Sequence, residues 1–239
     1  MKLNKIIIGA SLLINILLSV SVHAFSVDKM LLTSDDKGNG VITLTNDEDQ
    51  ALFVQAQVDE IDVSGKGAVK KKPYIRDNIS DWKISLTHQR LVLRPGEEKE
   101  VGIRSLCHNA TCDNSKDLMF MLSFSPSRYG SQTTGGVEMN YGFSPVYIIP
   151  TPTPYYSYEL FNKGDSLTVE NNSNTMIHVF VDACDVNKKE KCLQKFTVVA
   201  GRTKSFPLSE NIQSNELNIT VASHDDSYSK KATIKRGKN

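Results

Sequence analysis

The chain has 239 residues, 28 Lys and Arg against 27 Asp and Glu, a formal charge of +1 and a hydrophobic fraction of 39%. A balance this close to neutral offers no basic field to draw in nucleic acid or an anionic membrane surface. The length accommodates one large or two ordinary domains, each able to bury a core.

The first 24 residues read as a secretory signal peptide. Lys2 and Lys5 form a basic start, residues 6–20 an apolar centre, and Val22-His23-Ala24 a small-x-Ala cleavage site before Phe25. Ser11 and Asn15 interrupt the apolar run, which falls short of the ~20 residues that a membrane span needs, and no later segment could serve as one. Removing Lys2 and Lys5 leaves 26 basic against 27 acidic residues, a net charge of −1.

Beyond the signal, apolar residues recur with period two, the mark of half-buried strands. Residues 40–45 (GVITLT) alternate and stop at the turn cluster Asn46-Asp47-Glu48-Asp49. Residues 52–61 (LFVQAQVDEI) form a strand with Phe53, Ala56 and Val58 among polar partners. Residues 62–81 are a polar insertion with a basic triplet, Lys70-Lys71-Lys72, expected as a mobile solvated loop. Residues 82–93 place Trp82, Ile84 and Leu86 on one face. Arg94-Pro95-Gly96-Glu97 turns the chain into a return strand around Val101 and Ile103. The nearly continuous apolar run 118–124 (LMFMLSF) reads as a central strand buried on both faces.

Residues 137–144 alternate Val137, Met139, Tyr141 and Phe143 with Glu138, Asn140, Gly142 and Ser144, after two glycines and before Pro150, Pro152 and Pro154. Shorter strands follow at 166–170, 176–181, 193–199, 203–208, 217–222 and 230–234, punctuated by Gly164, the 171–174 cluster, Gly201 and Asp225-Asp226. Short, regularly spaced strands predict sandwiches, and the proline break at 150–155 predicts two of them: an all-β protein with domains at 25–150 and 155–239.

Two cysteine pairs, Cys107 with Cys112 and Cys184 with Cys192, predict disulfide staples in an exported chain. A metal site at CHNATC using His108 lacks a second ligand pair of matching spacing. No zinc-type histidine pattern, Gly-x-Ser-x-Gly elbow or glycine-rich loop before a helix is present, and His224-Asp225-Asp226 falls in a turn. The reading is of a binding protein rather than an enzyme, with no cofactor and no metal.

The ordered set of motifs resembles the periplasmic pilus-assembly chaperones of the chaperone–usher pathway. It comprises an immediate strand-like start (FSVDKMLL), the phrase RLVLRPGEEKEVGIR at 90–104, the buried 118–124 strand, the alternating strand, the proline linker and a smaller β domain. That second domain carries CDVNKKEKC followed by VVAGRTKSF, which is similar to the alternative, archaic branch. The resemblance implies two immunoglobulin-like sandwiches set like a boomerang, acting in the periplasm by donor-strand complementation. In that mechanism the chaperone lends an edge strand to a fimbrial subunit that lacks its own last strand, then yields the subunit to an outer-membrane usher. The lent side chains would be Val137, Met139, Tyr141 and Phe143; the competing reading of the same alternation is that they face this domain's own core.

The best-known members of the family anchor the subunit's terminal carboxylate with a basic pair, an arginine on the first strand and a lysine near the end of the donor strand. Here Leu31 stands where the arginine would be and Ser144-Pro145-Val146 where the lysine would be, so the clamp is not carried over; Lys29 or Arg90 is the candidate anchor. The resemblance also implies self-association of the free protein through the donor strand. A secreted fimbrial subunit or adhesin, and a ligand-binding β-sandwich, are the alternative readings.

Overall fold

In a computed structural model, residues 24–64, 68–107, 112–128, 141–184 and 192–237 are described. Residues 1–23, which hold nearly all of the expected signal peptide, lie outside them, as does His108. Among the described residues no helix is long and apolar enough to cross a membrane.

Up to residue 149 the chain forms two facing sheets. One orders β1 (Phe25–Val27), β3 (Gly40–Asn46), β8 (Glu98–Ser105) and β6 (Ile84–Leu86). The other orders β2 (Leu31–Thr33), β10 (Val146–Ile149), β9 (Leu118–Arg128), β4 (Leu52–Ser64) and β5 (Ala68–Pro73), with β7 (Arg90–Leu93) also paired to β4. Alternation puts Ile42, Leu44, Val101 and Ile103 of the first sheet against Val54, Leu93, Phe120, Leu122, Phe124 and Tyr147 of the second, all buried in one core. The run at β9 is central, between β4 and β10, as its composition requires.

The remaining strands make a second pair of sheets with a separate core. One orders β11 (Tyr158–Asn162), β12 (Ser166–Asn171) and β15 (Thr203–Pro207); the other β14 (Leu193–Val198), β13 (Ile177–Asp182), β16 (Glu216–Ala222) and β17 (Ser229–Lys235). Leu167, Val169, Ile177, Val179, Val181, Leu217, Ile219 and Val221 fill the space between them. The result is a two-domain β-sandwich. Cys107–Cys112 and Cys184–Cys192 are both disulfides, each closing a short loop.

Three expectations need correction. Residues 82–93 are not one strand: β6 pairs with β8 in one sheet and β7 with β4 in the other, because the chain crosses between sheets near Thr87–Gln89. The 94–97 turn likewise carries the chain from β7 to β8 across the sandwich rather than closing a hairpin. The 62–81 insertion is ordered as β5 and a 3-10 turn, Arg76–Asp81. Lys70 and Lys72 of β5 stand opposite Asp62 and Glu60, and Lys72 reaches Asp81 at 2.9 Å, so acids on neighbouring segments offset the exposed triplet. In β4 the buried residues are Leu52, Val54, Ala56 and Val58, while Phe53 is only half-buried. β11 is a strand that the pattern reading did not identify.

Both sandwiches share one corner. Asn46 ends β3 and Asn171 ends β12, each fully buried. Each takes a glycine N–H on its main-chain carbonyl, from Gly96 (2.7 Å) and Gly201 (2.9 Å), both with φ near +70°. Each side-chain amide donates to carbonyls of two facing segments: Asn46 to Gln50, Leu93 and Arg94, Asn171 to Thr175 and Val198.

The sandwiches meet through a third apolar cluster of Val63, Met119, Ile148 and Met176. Beside it Asp117, 2% exposed, accepts the Thr151 N–H at 2.9 Å, the Met176 N–H at 2.7 Å and the Thr175 hydroxyl at 3.2 Å. Asn174 completes the knot, donating to the Ser115 and Thr153 carbonyls and accepting the Tyr155 N–H. Burial pushes the Asp117 carboxyl above the usual carboxylate range, against the pull of the two N–H groups and the Thr175 hydroxyl.

Candidate functional site: a half-open strand edge

The segment Tyr141 to Pro145 continues the register of β10 along β9. Phe143 exchanges both main-chain hydrogen bonds with Phe124 (2.8 and 3.0 Å), and the Leu122 N–H reaches the Pro145 carbonyl at 2.9 Å. Close approach is secured by Gly142, where a Cβ would lie 2.6 Å from the Phe124 carbonyl oxygen. The Ser144 and Ser123 hydroxyls bridge the two strands at 3.1 Å.

On its far side this segment is open among the described residues. β2 covers only Val146 to Ile148, starting with the Val146 N–H bonded to the Met30 carbonyl at 3.0 Å. The main-chain groups of Gly142 and Ser144 alternate away from β9 and have no hydrogen-bond partner among the described residues. Three exposed apolar side chains lie along this edge: Tyr141 (69% exposed), Met30 (54%) and Leu31 (37%). An unpaired edge with apolar groups is a template for another strand.

Of the four side chains expected to be lent, Val137 and Met139 lie outside the described residues. Tyr141 is exposed. Phe143 is half-buried against the first sandwich's own core, its ring 5.8 Å from that of Phe25, so for this residue the own-core alternative describes the packing. By alternation Tyr141, Phe143 and the buried Tyr147 share the core-facing side, and Tyr141 carries that stripe past the end of the core.

The two candidate anchors are far apart. Lys29 sits where the chain steps from β1 in one sheet to β2 in the other, beside the open edge, with Nζ 3.8 Å from Asp28 Oδ2 and its side chain 63% exposed. Arg90 is exposed at the start of β7, opposite Gln55 of β4. Four strand spacings, about 19 Å, separate β2 from β7, so the two do not form a joint clamp.

Among the described residues no group of three or more His, Cys, Asp or Glu could hold a metal ion. Asp225 is occupied locally: its Oδ1 accepts Ser223 and Ser227 hydroxyls, which hold its carboxyl well below the usual range. Two residues the alternation does not mark are Met30 and Pro126, the latter near the end of β9 and two residues beyond the 118–124 run.

The fold is a two-domain β-sandwich, and solved structures of known proteins share it. Solved structures similar to it include the class 5 fimbriae chaperone CfaA, with 12% identity, 90% of this chain and 100% of that one covered, and a TM-score of 0.54. The E. coli chaperone DraB gives 11%, 91% and 98%, and 0.52. A structure of the CsuC–CsuE chaperone–tip adhesion subunit pre-assembly complex from archaic Csu pili of Acinetobacter baumannii gives 12%, 90% and 100%, and 0.50. No curated protein matches the sequence. The sequence model of the CS5 fimbrial protein N-terminal domain matches residues 27–150, and the chain belongs to that family.

Proposed function

We propose that this protein is a periplasmic chaperone that captures fimbrial subunits by donor-strand complementation and passes them to an outer-membrane usher. The observation that carries the reading is the edge at 141–145: Phe143 is tied to β9, while Gly142 and Ser144 offer main-chain groups outward and Tyr141 offers a large apolar side chain. A subunit sandwich missing one strand needs both things, hydrogen-bonding backbone and an apolar side chain at every second residue. Each fully buried side chain contributes roughly 1.5–3 kcal/mol, and association entropy offsets much of the sum, which keeps such a complex exchangeable. Val137 and Met139 extend the apolar series of Tyr141 in the sequence, and the unit at 25–150 carries the edge. The activity is binding, without a chemical step.

The test is a pull-down from the native periplasm with wild type and Tyr141→Asp, with partners identified by mass spectrometry. Wild type retains a small exported β-rich subunit, and the variant, folded by circular dichroism, loses it. Equal retention by both proteins overturns the role of Tyr141. A wild type that retains no fimbrial subunit overturns the chaperone reading.

A further inference from the structure

Among the described residues the ladder between β9 and the strand beside it ends at Phe143. The Leu122 N–H donates to Pro145, and the Phe124 N–H donates to Phe143. The next donor in this series is residue 126, and its acceptor is the Tyr141 carbonyl. Residue 126 is a proline, which has no N–H.

The missing donor faces this side and not β4. The Ala56 N–H points away from β9, to the Gln89 carbonyl, so the even-numbered residues of β4 turn their main chain outward. Val54 opposite Pro126 is therefore a pair that exchanges no hydrogen bonds, and the proline costs the β4–β9 ladder nothing. Its effect falls on the Tyr141 carbonyl, which loses its donor; the Tyr141 main chain has no hydrogen-bond partner among the described residues.

We propose that Pro126 is a positioning residue that sets how much of the edge strand the protein keeps for itself and how much it lends. Up to Phe143 one edge of the strand is occupied by β9; at Tyr141 neither edge has a partner among the described residues. A strand that fills the gap in an incomplete sandwich lies between two strands of the partner and needs both edges. Gly142 stands at the changeover. The inference rests on the donor-strand reading and adds to it a defined boundary: the strand is handed over at Tyr141.

The test is Pro126→Val, which restores the N–H with a residue suited to strands. In the free protein, hydrogen exchange followed by NMR reads the amide that the substitution introduces at position 126. Bonding to the Tyr141 carbonyl protects it to the level of the Phe124 amide. With the subunit recovered by wild type as the purified probe, capture by the variant weakens roughly three- to tenfold, as expected for one competing hydrogen bond, while thermal stability is unchanged or raised. If the introduced amide exchanges as freely as an exposed one, the boundary is overturned, with no reference to function. A protected amide with undiminished capture overturns its role in lending the strand. Failure of wild type to bind any subunit falsifies the chaperone reading itself and leaves the exchange result standing.

Discussion

Asp117 at the start of β9 accepts the main-chain N–H of Met176 at 2.7 Å, so a carboxylate of the first sandwich closes on the backbone of the second. The same carboxylate holds Thr151 at the exit of the edge strand, which links that strand's far end to the junction between the domains. Asp117→Ala leaves two buried N–H groups without an acceptor and is expected to cost about 2–4 kcal/mol, read as a fall in the denaturant midpoint. Because burial raises the folded-state pKa above the unfolded value of about 3.9, the folded protein holds this proton more tightly. Asp117 therefore favours folding most below pH ~4, and that contribution declines as pH rises through the raised value. The stability of wild type minus that of Asp117→Asn, followed from pH 4 to 8, should fall and then level. A difference that rises with pH would contradict it.

Tyr141 and Phe143 share a strand face but should respond oppositely to truncation. Phe143→Ala removes a ring packed on Phe25 and the core and is expected to destabilise by about 2–3 kcal/mol, less than a fully buried phenylalanine. Tyr141→Ala, at an exposed site, should stay within about 0.5 kcal/mol of wild type and lose subunit capture. Chemical denaturation and pull-down on both variants separate packing from lending. Equal destabilisation by the two would place Tyr141 in the core.

Lys29 and Arg90 are separated by the same logic. Lys29 adjoins the open edge; with Lys29 as the proposed anchor of a subunit carboxylate, Lys29→Ala should weaken capture roughly three- to tenfold at low salt, with no change in melting temperature. Arg90→Ala should leave capture unchanged, since β7 lies across the sheet. Titration of the purified subunit against each variant decides; a loss confined to Arg90→Ala would move the anchor to the opposite edge.

Period-two alternation was enough to find β3, the centre of β4, β9 and most of the second sandwich, because each has one face or both in a core. It could not show where a chain changes sheets. At Lys29-Met30 and at Thr87–Gln89 the crossing is set by which neighbour supplies main-chain partners, and no side-chain pattern records that. The same limit applied at the site. Alternation put Tyr141 and Phe143 on one face, but whether a core lies under that face depends on Phe25, more than a hundred residues away in sequence. The hairpin of β5 was missed because its residues are all exposed and therefore carry no alternation. The open main chain of Gly142 and Ser144 leaves no trace in side-chain identity.

The paired corners give a prediction that compares two chemically identical changes. Gly96 and Gly201 have φ of 71° and 72° and the same bond to a buried asparagine carbonyl, so replacement by alanine imposes a similar left-handed strain of about 1 kcal/mol at each. Their surroundings differ. A Cβ at Gly96 meets nothing within 4 Å, whereas one at Gly201 lies 2.9 Å from the Val63 carbonyl oxygen of β4, a rigid main-chain atom of the other sandwich. Gly96→Ala should therefore cost about 1 kcal/mol, and Gly201→Ala clearly more, with the excess spent on separating the sandwiches. The excess should appear as increased protease cleavage in the 150–157 linker of Gly201→Ala and not of Gly96→Ala. Equal costs, with the linker equally protected, would mean that Gly201 does not seat the second domain on the first.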